Sequence, residues 1–200
     1  HKHGMLDSFL GSFAQSILKG THRQMMVVKC LMPVNTMRRL MVAVPPKAEF
    51  EAGFYKWVER LARIGGQLGC RVHFWAHPDT ILRINGYLKK FHGNVRVEFS
   101  PMDDWDDLLL MSSKVAYDHL VVIVSARKGA ISYQSSFEEL PTQITKYFSN
   151  CSLMLIYPDQ LGDPLENLTF SSPRGQSENP IYDHVSKWVY KWMKKGEEQG

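Results

Sequence analysis

Cysteine is scarce in this chain of 200 residues, and the three present, Cys30, Cys70 and Cys151, stand alone. None has a partner at zinc-ligand spacing, and an odd number cannot close into a full set of disulfides. Neither a metal knuckle nor a disulfide scaffold is expected. A reducing compartment is, with each thiol acting as a small buried apolar group. Long apolar runs are missing too: none approaches the roughly 18 residues needed to cross a bilayer. The first residues carry no apolar signal region, so we expect a soluble body. Charge of one sign is also lacking: a net +4 neither excludes nor favours nucleic acid or an anionic membrane surface, and no nucleic-acid partner is expected. There is no Gly-x-Ser-x-Gly, no spaced Cys/His pair and no complete phosphate loop, and catalysis is not expected.

What is present suffices for one well-packed α/β domain with extra pieces: 44% of the residues are hydrophobic and 12% aromatic. The chain is organised around Tyr117 to Pro158. The run from His119 to Ser125 is short, β-branched and without alternation, the pattern of a strand buried on both faces of a parallel sheet. A polar loop follows. Next comes a helix with Phe137, Leu140, Ile144, Tyr147 and Phe148 on one face, and a second apolar run from Leu153 to Tyr157. Strand, loop, helix, strand is a parallel crossover, and ligands collect in the loop after its first strand.

Residues 1–29 repeat the second half of this unit. A helix with Phe9, Phe13, Ile17 and Leu18 precedes the strand Met25 to Val28, and an offset of 127 residues places Phe13 on Leu140 and Val27 on Met154. Residues 30–36 read as a linker. Residues 37–160 form the complete series, with strands at Met37–Val44, Arg71–Ala76, Asn94–Phe99, His119–Ser125 and Leu153–Tyr157. Between them lie helices at Ala48–Leu68, from Pro78, at Trp105–Val115 and from Phe137. Glu49 and Glu51 suit the positive end of the first helix, Gly65 and Gly66 weaken its other end, and Gly69 caps it. Five strands alternating with four helices predict a three-layer, doubly wound parallel five-stranded sheet. A bare strand at Met25–Lys29 would be a costly edge. We expect it beside Leu153–Tyr157 or against another chain. Residues 161–180 read as a loop and 181–200 as an amphipathic helix and tail. That helix places Trp188 and Trp192 opposite four lysines, which favours packing on its own domain over contact with an anionic membrane.

Two resemblances follow. Gly4 to Ser12, ending in Gly11-Ser12 before a helix and strand, resembles the close of the nucleotide loop of universal stress proteins. There, backbone amides at a helix start hold ATP phosphates. The resemblance implies a remnant phosphate loop at Gly4, Gly11 and Ser12, and a Rossmann-like fold akin to the adenine nucleotide alpha hydrolases. In the complete copy that site is altered. Pro45 stands where the family places an aspartate, Ser125 to Lys128 replace the glycine pair, and Glu138-Glu139 replace Gly-Ser. This copy is read as degenerate and unlike the family in ATP binding. No cofactor is expected, with a nucleotide admitted only at the degenerate site. More specific phrases resemble the cytoplasmic tails of bacterial monovalent cation:proton (Na+/H+) antiporters: Pro33 to Thr36, Pro45 to Trp57, Asp104-Trp105, Ser125 to Lys128, Ser132-Tyr133 and Ile156 to Gln160. That resemblance implies a regulatory domain on the cytoplasmic face of the inner membrane. Its partners would be the antiporter domain of the same polypeptide and a second copy in a homodimer.

The candidate ligand-binding residues are Ser125, Arg127, Lys128, Gly129, Ser132 and Ser135, in the loop where a parallel sheet binds anions. The competing structural reading is a solvated loop whose Ser135 or Ser136 caps the helix. Asp103, Asp104, Asp106 and Asp107 are better explained by helix capping than by a metal. His73 and His77 fall on a strand and its exit, not on one ligating face. The alternatives to a transporter regulator are a free-standing stress protein binding an adenine nucleotide and a structural dimerisation module.

Overall fold

In the computed structural model, Ile17 and residues 20–161 are described. The chain divides into two compact units at Leu161 and Gly162, and the described residues belong to the first. Apart from Ile17 and Gly20, which are helical, the expected helix before β1 lies outside the described residues, as do the loop 161–180 beyond its first residue and the C-terminal helix.

Six strands form one sheet: β1 (Met25–Lys29), β2 (Arg39–Ala43), β3 (Arg71–Ala76), β4 (Val97–Pro101), β5 (His119–Val124) and β6 (Ser152–Tyr157), in the spatial order β1-β6-β5-β2-β3-β4. All neighbours are parallel except β1, which runs antiparallel to β6. The parallel part is the doubly wound arrangement expected. The sheet has six strands, not five, because β1 joins it.

β1 lies where its unpaired edge predicted, with Met25 opposite Tyr157 and Lys29 opposite Leu153. It covers the edge of β6, all of whose residues are buried. Val27 packs on the same side of the sheet as Leu153 and Leu155. Met154 points to the other side, because side chains alternate along a strand.

The helices are α1 (Phe54–Leu68), α2 (Pro78–Phe91), α3 (Leu108–Ser112) and α4 (Leu140–Tyr147). One face of the sheet carries Met41, Ala43, Trp75, Val121, Ile123, Leu153 and Leu155. On it pack Trp105, Leu108 and Met111, then Phe137, Leu140, Ile144 and Phe148. The alternating residues Leu40, Val42, Val72, Phe74, Leu120 and Val122 are equally buried on the opposite face. There α1 comes so close that a Cβ on Gly65 would meet Val72 Cγ2 at 2.5 Å. Gly65 is therefore a contact point for the sheet rather than a weak helix end.

Several expected boundaries move. Ala48–Phe50 is a separate 3-10 turn and α1 begins only at Phe54. Gly53, just before it, lies against another segment: a Cβ there would stand 2.5 Å from the backbone N and O of Asp159. β4 starts at Val97 rather than Asn94. Trp105–Asp107 is another 3-10 turn, in which the Asp107 carboxylate accepts from the amides of Asp103 and Asp104. The helix after it ends at Ser112, not Val115. Gly69 does cap α1, at φ 62°. The thiols do not all behave as buried groups: Cys70 is buried, Cys151 partly so, and Cys30 exposed.

Candidate functional site

In an open parallel sheet, the ligand crevice lies beyond the carboxyl ends of the strands where the strand order reverses. Here that point falls between β2 and β5. The loops after these strands meet there, Pro45 to Gly53 from one side and Ser125 to Ser135 from the other.

Ser125 continues the sheet. Its amide donates to the Ile156 carbonyl at 2.8 Å and the residue is buried. Arg127 turns back over the segment preceding β1, donating to the carbonyls of Thr21 and, at 2.9 Å, Arg23. Burial pulls its guanidinium below the ordinary value, against the opposing attraction of Asp159 and Tyr157. Lys128 is exposed and donates to Glu138 Oε1 at 2.8 Å, a bond that raises its ammonium above the usual range. Gly129 has φ 89°, a left-handed conformation that lets the chain turn so that the Ala130 amide reaches the Arg127 carbonyl. Ser132 is 2% exposed, and both its amide and its hydroxyl donate to Glu51 Oε1 at 2.9 Å. Ser135 opens a 3-10 turn and is exposed. Neither it nor Ser136 provides the cap: Gln134 holds that position, with no side-chain cap bond.

Sequence reasoning thus found the loop but missed what fills it. Glu51 was assigned to a helix dipole, yet it crosses to Ser132. Glu49 likewise leaves the helix end and accepts from the buried Thr80 hydroxyl at 2.6 Å. Asp159, 1% exposed in its side chain, pairs with Lys56 at 2.5 Å and accepts from the Leu161 amide at 2.9 Å. Burial alone would raise the Asp159 carboxyl. The bonds from Lys56 and Leu161, with the charges of Lys56 and Arg23, hold it below its ordinary value instead. His22 closes the same corner by accepting the Gln160 amide on its carbonyl at 2.8 Å. No sequence signal joins Glu51 to Ser132, since their meeting depends on β2 and β5 being neighbours. Gly4, Gly11 and Ser12 lie outside the described residues.

The crevice is occupied by the chain's own carboxylates. Ser132 is taken by Glu51, and Lys128 pairs with Glu138 at the surface, so these two donors face the chain's own negative charge. Glu51→Ala should leave the Ser132 donors buried without their acceptor, a loss of about 1–3 kcal/mol. The urea midpoint should fall accordingly, and added inorganic phosphate should recover part of it. A variant as stable as the parent would mean that Glu51 is dispensable to the loop.

Fold and crevice together define the class: a doubly wound α/β domain with an antiparallel strand added at one edge and a self-filled switch-point crevice. Among protein-family models, curated proteins and solved structures, none matches the chain. No helix of the described residues is long and apolar enough to cross a membrane.

Proposed function

We propose that this chain is the cytoplasmic regulatory portion of a monovalent cation:proton antiporter, built from the end of one universal stress protein-like unit and the whole of a second. One observation carries the reading. The phrases that resemble antiporter tails are spread from Pro33 to Gln160, yet all but Pro33 to Thr36 come together at the carboxyl end of the sheet. Glu51 of one bonds Ser132 of another, Lys56 pairs with Asp159, and Gly53 lies against the Asp159 backbone. Such convergence is what a single working surface requires. The added strand β1 supports the tandem part of the reading, because sequence preceding the complete unit shares its sheet.

The mechanism is a difference in affinity. The domain, as a homodimer at the cytoplasmic face of the inner membrane, binds one transport state better than the other, and a tenfold bias needs about 1.4 kcal/mol. No bond is made or broken in it. The test is proton-coupled Na+ and K+ exchange by the full-length parent protein in everted vesicles, with and without the region after residue 36. Exchange that is present and shifts in rate or ion dependence on truncation is expected. Equal exchange in both forms would remove the regulatory role, and a parent that exchanges no cation for protons would remove the transporter reading altogether.

A further inference from the structure

The opposite end of the sheet holds a second concavity, built from residues that no motif links. Parallel strands start at one end, so the first residues of β2, β3 and β5 come side by side: Arg39 is in register with Arg71 and with His119. Arg38 precedes the first of these, Asp118 precedes the last, and Arg96 precedes β4. Together with the end of α1 at Leu68 and Gly69 they line a groove of about 790 Å3. That size lies within the ordinary range for small-molecule sites, roughly 300–1,000 Å3.

Its charge is unbalanced. Four guanidinium groups line the groove, with Asp118 the only carboxylate among the lining residues. Glu98 is the other counter-charge nearby, and its carboxylate is shared, 2.6 Å from Arg71 and 3.1 Å from Arg39. Asp118 is 3.6 Å from Arg38, whose side chain remains 83% exposed. Arg96 is steadied by donating to the Gly69 carbonyl at the end of α1. Among the described residues, two of these four positive charges therefore have no opposing carboxylate on this concave surface. Each guanidinium carries five N–H donors in a planar fork that suits phosphate oxygens. Burial lowers the pKa of both His119, in the lining, and the neighbouring His73, so neither adds to the charge at neutral pH.

We propose that this groove binds a soluble small molecule bearing two linked phosphate groups, held by Arg38, Arg39, Arg71 and Arg96. A diphosphate opposes the excess charge, offers oxygens to several guanidinium forks at once, and fits a concavity better than a flat bilayer surface would. The inference stands on the groove alone and is independent of the transporter reading.

The experiment is calorimetric titration of the whole chain with inorganic pyrophosphate near physiological ionic strength, beside sedimentation with phosphatidylglycerol vesicles. Saturable binding of pyrophosphate is expected, weakened at least tenfold by Arg71→Gln and by Arg38→Gln. Arg60→Gln, on the exposed side of α1, should change it less than twofold. Arg38 is exposed, so that variant should remain folded even if Arg71→Gln does not. Absence of pyrophosphate binding at millimolar concentration would overturn the proposal. So would equal weakening by Arg60→Gln, or sedimentation with vesicles without pyrophosphate binding.

Discussion

Trp105→Ala should lower the free energy of unfolding by about 3–5 kcal/mol, the range for deleting a large buried aromatic side chain. Trp105 is 0% exposed and meets Phe137 edge-on, at 4.7 Å between ring centroids and an interplanar angle of 86°. It fills the space between the turn after β4 and the end of the candidate loop, with Met102, Leu108 and Met111 around it. Neither α3 nor α4 is long enough to cover that region alone: they are 5 and 8 residues. Truncation therefore leaves a cavity that the short helices cannot collapse to fill. Urea unfolding should show a lower midpoint at an unchanged slope. Amide exchange from Ser125 to Phe137 should quicken more than in α1, because Phe137 anchors that loop. A loss below about 1 kcal/mol would mean that the tryptophan is not the cover of this face.

The second large effect belongs to Glu59, on the inner side of α1. The residue is 8% exposed, and its carboxylate accepts from Tyr87 Oη at 2.8 Å and Arg63 Nε at 2.6 Å while His92 Nε2 contacts the same group. These bonds tie α1 to α2 and to the residue that ends it. Glu59→Ala leaves the buried Tyr87 hydroxyl and the partly buried His92 facing a void, while Arg63, 46% exposed, turns to solvent, so a loss of about 2–3 kcal/mol is expected. The pH dependence has a definite sign. Burial by itself would raise the Glu59 carboxyl, but the bonds from His92, Arg63 and Tyr87 outweigh it and hold the group below its ordinary value. A carboxyl lowered in the folded state stabilises fully above its unfolded value of about 4.3 and loses that contribution as pH falls through the folded one. The stability gap between the parent and Glu59→Gln should thus be widest near neutral pH and narrow towards pH 3. A gap that widens on acidification would refute the assignment.

Much of the fold was legible because its signals are local. The run His119–Val124 reads as a strand buried on both faces, and five of its six residues are buried. In α1, Phe54, Trp57, Val58 and Leu61 recur at helical spacing and all four are buried, with Ile64 and Leu68 partly so. The sites were legible only by address. The loop after β5 was found from the general behaviour of parallel sheets, which says where a ligand would sit but not whether the chain has already filled the place. Glu51 looked like an ordinary first-turn carboxylate because its partner is 81 residues away.

Sequence alone determined the periodicities, and with them the strands, the helices, their buried faces and the need to cover β1. Those patterns repeat every two or every 3.6 residues and need no knowledge of neighbours. Only the tertiary structure decided which carboxylate closes the crevice, that β1 runs antiparallel beside β6, and that Arg39, Arg71 and His119 start adjacent strands. Each of these depends on strand order and register, which bring distant residues together by backbone pairing rather than by any property of the residues that meet.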